Sequence, residues 1–301
     1  MTPDRSPSPD RAPIPGPGPA PAAGRHRSWP WCRRCSGIAL DLGSARTRAW
    51  TSGRRMILDV PTVTFTGGST VHPVRRGAIV DTPGTALMLD RLLGHRLPRF
   101  GRPLLILTAP VLGGVAYRAA ARAAVEVLRP RTVLTISTAR AVATAVDADL
   151  TRPLLVVDIG AHLTEVALLC EGDVVDARHT ALGTSDVDGP TLPSPSPTSP
   201  PSPSPSPSPH PRITASVVAM VTAMLEQDRT SRAGEALRRG ALLAGGGALL
   251  PGISYGLAAE LHAPVQPVPA PHTAAVRGAA KLLGAAHAHP ARAHPTRTHP
   301  D

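Results

Sequence analysis

The chain has 301 residues, 36 of them proline, and a formal net charge of +11 at pH 7. Twenty-three of the prolines lie in three segments, 1–36, 190–211 and 284–301, whereas the other 225 residues have an ordinary proline content and many apolar side chains. This contrast excludes a uniformly disordered chain and predicts one or two folded domains.

The charge, the apolar runs and the cysteines bear on whether the protein binds nucleic acid, spans a membrane or contains disulfides. All basic residues except Lys281 are arginines spread along the chain, and only seven residues are aromatic. The positive charge favours nucleic-acid binding, but the shortage of aromatic side chains and the dispersal of the arginines oppose it, so we keep it only as an alternative function. No apolar run reaches the ~18–20 residues of a membrane span, and three cysteines do not predict a disulfide framework, so we expect a cytoplasmic protein.

The first half of the core, residues 37–150, predicts strands that alternate with helices. An apolar run at 37–42 contains Asp41 near its end, a turn follows at Gly43-Ser44, and a second strand spans 46–51. The pattern further predicts strands at 56–60, 62–65, 104–108 and 132–136 and helices at 85–93, 114–128 and 138–146.

The second half, residues 151–271, repeats this pattern. A strand at 153–158 ends in Asp158, and a turn at 159–162 leads into further strands. The remaining predicted elements are strands at 164–170, 174–177, 241–244 and 264–268 and helices at 213–227, 251–262 and 272–283. Two similar halves of alternating strands and helices predict the α/β class, with two sheets that are each covered by helices.

The three proline-rich segments are predicted to be unstructured. Segment 1–36 places Trp29 and Trp31 among arginines, which suits contact with an anionic membrane surface, although a proline between them opposes an amphipathic helix. Segment 190–211 predicts an extended polyproline II spacer or, alternatively, a docking site for a proline-binding module. Segment 284–301 carries four histidines without the preorganised geometry of a metal site.

Two units of strand, aspartate, turn and strand point to a phosphate ligand. Turns of this kind offer backbone N–H groups to phosphate oxygens, and Asp41 and Asp158 could hold a hydrated Mg²⁺ between them. Three glycines, Gly245 to Gly247, precede a predicted helix, where backbone can approach a flat ring closely and the helix N-terminus can face an anion.

These stretches resemble the MreB/Mbl rod-shape-determining proteins of bacteria, a family of the actin-like ATPase superfamily. The resemblance follows the family order over nearly the whole core, and it is carried by DLGSA at 41–45, LDVPTV at 58–63, GAIVD at 77–81, VVDIG at 156–160 with TEVA at 164–167, AGGGALLPG at 244–252 and the closing stretch 271–283. It implies an actin-like, ribonuclease-H-like core of two lobes. Residues 37–150, completed by helix 272–283, would form lobe I, and residues 151–271 would form lobe II.

The resemblance also implies a binding site for ATP with Mg²⁺ in the cleft between the lobes. Asp41 and Asp158 would hold the metal through water. The implied nucleotide contacts are Asp41, Gly43, Ser44, Ala45 and Arg46 in the first phosphate loop, Asp158, Gly160, Ala161, His162 and Thr164 in the second, and Gly245, Gly246, Gly247, Ala248 and Leu249 at the adenosine.

The sequence departs from the family pattern where the chemistry would take place. Ser137 and Thr138 stand where the family carries two glutamates, one of which positions the attacking water, and neither hydroxyl is a general base near neutral pH. Arg46 replaces a small amide and either contacts phosphate or is a solvated surface residue. Residues 161–163 replace glycines and a threonine with larger side chains that would obstruct the phosphates, and His162 either faces phosphate or is exposed in the turn.

Both small upper subdomains of the family plan look largely missing, because only five residues separate Phe65 from Val71 and the proline segment replaces the other subdomain. We therefore expect a reduced MreB-like scaffold of cell-shape or wall-synthesis machinery that hydrolyses ATP weakly or not at all. A competent, filament-forming ATPase is the alternative. The resemblance implies other actin-like subunits or membrane-bound wall-synthesis proteins as partners, at the inner face of the cell membrane.

Overall fold

The computed structural model describes residues 36–53, 55–66, 69–97, 102–186 and 210–288. They form two five-stranded sheets with helices on both faces, which confirms the predicted α/β class. Trp29, Trp31 and their neighbouring arginines lie outside the described residues, and so do most of the proline segment and most of the histidine-bearing tail.

The first sheet has the strand order β3-β2-β1-β8-β9. Its strands are β1 (Gly37–Leu42), β2 (Arg46–Thr51), β3 (Ile57–Pro61), β8 (Leu104–Ala109) and β9 (Thr132–Ser137). Two short hairpins follow β3, namely β4 (Thr64–Thr66) with β5 (Ser69–Val71) and β6 (Val74–Arg75) with β7 (Ala78–Ile79). The helices of this half are α1 (Thr82–Leu93), α2 (Gly114–Val125) and α3 (Thr138–Ala145).

The second sheet repeats this topology in the order β12-β11-β10-β13-β14. Its strands are β10 (Leu154–Ile159), β11 (Thr164–Cys170), β12 (Asp173–Thr180), β13 (Ala241–Ala244) and β14 (Val265–Pro267). Its helices are α4 (Pro211–Gln227), α5 (Arg232–Arg239), α6 (Ile253–Leu261) and α7 (Ala274–Ala288). In both sheets the central strand, β1 or β10, pairs with an antiparallel hairpin on one side and a parallel strand on the other.

The molecule has five layers, because α3 and α7 lie between the two sheets. Helices α1 and α2 cover the outer face of the first sheet, and α4, α5 and α6 cover the outer face of the second. Val276, Ala279 and Leu283 of α7 pack on the inner face of the first sheet, whereas Ala274 and Ala275 pack on the second. Helix α3 contributes its apolar side chains to the cluster on the second sheet, although its sequence lies within the range predicted for lobe I.

Several boundaries differ from the sequence predictions. Helix α1 begins at Thr82 rather than at residue 85, because the Asp81 carboxylate accepts a hydrogen bond from the Gly84 N–H (2.8 Å) and caps the helix. Helix α7 extends to Ala288, five residues into the segment predicted to be an unstructured tail. The α-helix α2 ends at Val125, and residues 126–128 form a 3₁₀ turn instead of continuing it.

The two positions of the expected small subdomains hold little regular structure among the described residues. Between β3 and α1 the chain forms only the two short hairpins. Between Asp186 and His210 lie 23 residues, which are rich in proline and serine and fall outside the described part of the chain. No helix among the described residues is long and apolar enough to span a lipid bilayer.

Candidate functional site

A cleft of about 370 Å³ lies where the central strands of the two sheets end. Asp41 is the penultimate residue of β1, and Asp158 is the penultimate residue of β10. The parallel neighbours β8 and β13 end at the same edge, so the loops after four strands meet around one cavity. The carboxyl ends of parallel strands are where α/β folds commonly bind ligands.

Eleven of the fifteen residues implied as nucleotide contacts line this cleft. They are Asp41, Gly43, Ser44, Ala45, Arg46, Asp158, Gly160, Ala161, His162, Gly245 and Gly246. The fold therefore brings both predicted phosphate loops and the start of the glycine motif to one cavity.

The other four implied contacts lie outside the lining. Thr164 is fully buried, and its hydroxyl donates to the Leu182 carbonyl (2.8 Å). Gly247 packs on Ile159, since a Cβ at Gly247 would lie 2.1 Å from Ile159 Cγ2. Ala248 belongs to the core of the second sheet, and the Leu249 side chain is 60% exposed outside the cleft.

The first phosphate loop, residues 41–46, is held by hydrogen bonds to Asp59 of β3 and to Thr62, which follows β3. The Gly43 N–H donates to the Arg46 carbonyl (3.1 Å), and the Gly43 carbonyl accepts from the Thr62 hydroxyl (2.8 Å). Arg46 is 44% exposed, and its Nε donates to the Asp59 carboxylate (2.6 Å). The guanidinium of Arg46 is thus bound by a neighbouring carboxylate at the rim of the cleft.

Arg48 lies deeper in the cleft than Arg46. It stands directly opposite Asp41 in the β1–β2 ladder, and its side chain is only 13% exposed. Its Nη1 lies 3.8 Å from Asp41 Oδ2, and its Nε lies 3.3 Å from Asp59 Oδ2. No motif marks Arg48 in the sequence, although the hairpin register that pairs it with Asp41 follows from the tight turn at 43–45.

The second loop is held in place by the turn at 183–186. The Gly160 N–H donates to the Leu163 carbonyl (2.8 Å), and the Thr184 N–H donates to the Gly160 carbonyl (3.0 Å). The Leu163 side chain is directed at the β6–β7 turn of the other half, because a Cβ at Gly77 would lie 2.8 Å from Leu163 Cδ2. His162 lines the cleft, and among the described residues its buried Nδ1 has no hydrogen-bond partner.

The three glycines after β13 differ in whether a side chain would fit beside them. A Cβ at Gly245 would lie 2.4 Å from Asp158 Oδ1 and 2.2 Å from the Ile159 carbonyl, so packing alone requires glycine there, as it does at Gly247. Gly245 and Gly246 both line the cleft, but only at Gly246 would an added Cβ meet open space. Only at Gly246 does the space beside the backbone belong to the cavity.

Three carboxyl groups, those of Asp41, Asp158 and Glu165, share the cleft, and burial raises the pKa of each. Burial raises the pKa of Asp158 to about 7, and the charges of Glu165 and Asp41 add to this effect. The pKa of Asp41 is also raised, mainly by burial, while the Thr108 hydroxyl and Arg48 oppose the increase. Such shifted carboxyls are typical of functional sites.

Glu165 on β11 is a cleft carboxylate for which the sequence predicted no role. It is 5% exposed, and its two oxygens accept long hydrogen bonds (3.4 Å each) from the N–H groups of Val111 and Leu112, which follow β8. Burial raises its pKa to about 7 despite these hydrogen bonds. The sequence offers only a weak signal for it, namely one charged residue in the otherwise uncharged strand TEVALLC at 164–170.

Tyr117 of α2 lies beside these carboxyl groups. It is 4% exposed and lines the cleft, and its hydroxyl has no hydrogen-bond partner among the described residues. Burial and the charges of Asp41 and Glu165 raise the pKa of its phenol. The cleft therefore contains an available hydroxyl donor that composition and motifs did not reveal.

The two positions expected to carry catalytic glutamates differ in location. Thr138 lines the cleft, and its hydroxyl donates to the Ala109 carbonyl (3.1 Å). Ser137 caps helix α3 through a hydrogen bond from the Arg140 N–H (3.2 Å) and does not line the cleft. Of the two, only Thr138 occupies a place from which a side chain could reach a bound ligand.

The cleft does not fit a divalent cation well. Both oxygens of Asp41 already face partners, the Thr108 hydroxyl at 2.7 Å and the Arg48 guanidinium at 3.8 Å. Among the described residues, no three His, Cys, Asp or Glu side chains are arranged to hold a metal ion. The Mg²⁺ site implied at Asp41 and Asp158 would place a metal next to a fixed positive charge.

Comparison with known proteins identifies the family and the fold. The sequence matches the family described as "MreB/Mbl protein" over residues 64–191 and 211–290. No match was found among curated proteins.

Three solved structures show the actin-like fold at low sequence identity. MreB5 of Spiroplasma citri bound to ADP is 16% identical, with a TM-score of 0.71 over 84% of this chain and 97% of that chain. The MamK double helical filament is 16% identical, with a TM-score of 0.65 over 82% of this chain and 98% of that chain. The ethanolamine utilization protein EutJ from Carboxydothermus hydrogenoformans is 16% identical, with a TM-score of 0.56 over 81% of this chain and 89% of that chain. These similarities confirm the two-lobed, actin-like architecture, and the family match covers more than half of the chain. The chain therefore belongs to the MreB/Mbl family.

Proposed function

We propose that this protein is an MreB-like scaffold that binds a nucleotide in the cleft between its two sheets and hydrolyses it weakly or not at all. Its site of action would be the cytoplasm, in cell-shape or wall-synthesis machinery. One combination of features carries the proposal. The two predicted phosphate loops line one cavity, and Thr138 stands at the cleft position where a glutamate was expected.

Nucleotide binding is supported by the arrangement of the loops. The turns after β1 and β10 face each other across the cavity, and the turn after β13 contributes Gly246, whose open side leaves room for a ligand. The cavity volume of about 370 Å³ lies within the ~300–1,000 Å³ of small-molecule sites. Solved structures of MreB5 contain ADP or AMPPNP, so the fold accommodates this class of ligand.

Weak hydrolysis follows from the chemistry of Thr138. Its hydroxyl is engaged by the Ala109 carbonyl and does not ionise near neutral pH, so it cannot accept a proton from water. Loss of a positioned general base lowers a rate by about 10²–10⁴-fold. A bound nucleotide would then act as a structural ligand that holds the two halves together.

A competent ATPase is the second candidate, and Glu165 is the observation that favours it. This carboxylate lines the same cleft, and its pKa of about 7 is near the value best suited to a general base at neutral pH. In this alternative Glu165 replaces the missing glutamate by orienting or deprotonating the attacking water.

Two measurements on the purified protein separate these candidates. Calorimetric titration with ATP tests binding, and phosphate release under saturating ATP tests turnover. We expect binding without turnover above the background rate. Binding accompanied by steady turnover that is lost in Glu165→Gln establishes the ATPase instead, and absence of binding refutes both candidates.

Matched glycine variants test whether the ligand occupies the cleft. Gly246→Ala places a methyl group in the open space beside the cavity, whereas Gly53→Ala adds the same group in a distant turn that also has open space. We expect Gly246→Ala to weaken ATP binding by about tenfold, or about 1.4 kcal/mol, and Gly53→Ala to leave it unchanged. Equal affinities for the two variants would place the nucleotide elsewhere.

Other actin-like subunits and membrane-bound wall-synthesis proteins are the partners we propose. MamK forms a double helical filament, and this similarity in fold supports self-association as one form of partnership. Sedimentation of the protein with and without ATP tests it, because nucleotide-dependent pelleting would favour the filament-forming alternative over a scaffold that acts as single subunits.

A further inference from the structure

We propose that Arg48 takes the place of the divalent cation in this cleft, so that the phosphate chain of the nucleotide binds to a guanidinium and does not require Mg²⁺. The inference rests on the proposed nucleotide-binding function and specifies how that site neutralises its ligand. In this proposal, the presence of Arg48 decides whether nucleotide binding depends on Mg²⁺.

The position of Arg48 is fixed by strand pairing. Asp41 and Arg48 are direct partners in the antiparallel β1–β2 ladder, so both side chains project from the same face of the sheet. Asp59 on β3 is the partner of Arg48 on the other side, and the guanidinium therefore lies between two carboxylates. This register leaves the side chain no other face of the sheet to occupy.

The guanidinium reaches the centre of the cleft. Arg48 lines the cleft together with Asp41 and Asp158, the two aspartates implied as metal sites, and its Nη1 lies 3.8 Å from Asp41 Oδ2. The Arg48 Nε is buried and lacks hydrogen-bond geometry to any partner among the described residues, although Asp59 is 3.3 Å away. The nitrogen that faces the cleft aspartate is Nη1, which at 3.8 Å from Asp41 Oδ2 is beyond hydrogen-bond distance, so this end of the guanidinium can turn its donors to a ligand oxygen.

A guanidinium and a hydrated Mg²⁺ compete for this space. Magnesium requires near-octahedral oxygen ligands and retains several waters, and a hydrated ion held by Asp41 would lie within a few ångströms of the Arg48 charge. Arginine instead offers five N–H donors in a planar fork, which matches two phosphate oxygens at once and stays charged at every accessible pH. Arg46, the other arginine of this strand that lines the cleft, is exposed and bound by Asp59.

The test compares ATP affinity in excess EDTA with ATP affinity in excess Mg²⁺, by calorimetry on the full chain. For the wild-type protein we expect the two dissociation constants to agree within about twofold. For Arg48→Leu we expect the affinity in EDTA to fall by at least about tenfold and to be partly restored by Mg²⁺, because the ion gains access to Asp41. Arg118→Leu, which removes an exposed arginine of α2, is the charge-matched control and should behave as the wild type.

Each outcome decides a separate point. Wild-type binding only with Mg²⁺ overturns the role of Arg48 and leaves nucleotide binding intact. Absence of binding in both buffers overturns nucleotide binding and, with it, this inference. If Arg48→Leu does not fold, as judged by circular dichroism, Arg48→Lys replaces it, since this variant keeps the charge and loses the fork. An unchanged affinity in EDTA for Arg48→Lys would show that phosphate does not contact the fork.

Discussion

Replacing Glu165 with glutamine tests the electrostatics of the cleft without any ligand. The folded protein holds this carboxyl at a pKa of about 7, whereas the ordinary value is 4.5. At about 1.36 kcal/mol per pH unit, the difference corresponds to about 3 kcal/mol of folding free energy. Because the side chain is 5% exposed, little of this energy is screened by solvent.

The sign follows from which state binds the proton. Between pH 4.5 and about 7 the folded protein keeps a proton on Glu165 that the unfolded chain has released, so the contribution of this group to stability falls as the pH rises through that window. Glu165→Gln removes the ionisation but turns an amide N–H toward the Val111 or Leu112 N–H, at a cost of about 1 kcal/mol. We expect the variant to be more stable than the wild type by about 2 kcal/mol at pH 8 and slightly less stable at pH 5.

Urea unfolding of both proteins at pH 5 and pH 8 measures this difference. The exposed substitution Glu126→Gln is the control and should change stability by less than about 0.5 kcal/mol at both pH values. If Glu165→Gln were destabilising by the same amount at both pH values, the ionised carboxylate would be well accommodated in the cleft, and Glu165 would lack the raised pKa that suits a general base.

Three further predictions concern packing, chemistry and capping. Gly278→Ala should destabilise the protein by more than about 3 kcal/mol in urea unfolding, because the new Cβ would lie 1.7 Å from the Ala141 carbonyl oxygen. Gly284→Ala in the same helix is the control, since its Cβ would meet open space, and it should be neutral or stabilising by up to about 1 kcal/mol. Thr138→Glu should raise phosphate release at least about tenfold if a missing base limits hydrolysis, and unchanged release with intact ATP binding would contradict this. Asp81→Ala should cost about 1 kcal/mol in thermal unfolding through loss of the α1 cap, and a cost near zero would show that the cap is dispensable.

The sequence was sufficient to predict the elements that carry the ligand loops. Strands β1, β8 and β10 are short apolar runs bounded by turn residues, and both cleft aspartates stand at the ends of such runs. Helix α5 escaped prediction because its buried face consists of Ala233 and Ala236, which give little hydrophobic contrast. The strand predicted at 62–65 is partly right, because β4 spans Thr64–Thr66, but it pairs with β5 in a separate hairpin and does not extend the first sheet. Strands β5, β6 and β7 were not predicted, because strands of two or three residues are too short to show a clear alternation of apolar and polar residues.

The chemical character of the site depended on distances that a linear pattern does not contain. Gly245 and Gly247 look like ligand contacts in the sequence, yet they are glycines because Asp158 and Ile159 leave no room for a Cβ. Conversely, Arg48 and Glu165 belong to ordinary strand patterns and acquire their importance only when β1, β2 and β11 meet at the cleft. Spacing along one strand reports which face a residue occupies, but not what faces it from another strand.

The position of α7 between the two sheets has a consequence for how the protein is made. Leu283 packs against Gly37, so the last described helix completes the layer on the strand that begins the core. During synthesis, Ala39, Leu104 and Ile106 on the inner face of the first sheet stay uncovered until residues 276–283 have left the ribosome. The N-terminal half therefore cannot finish folding ahead of the C-terminal half, and a nascent chain arrested before residue 274 would expose apolar surface from both sheets at once.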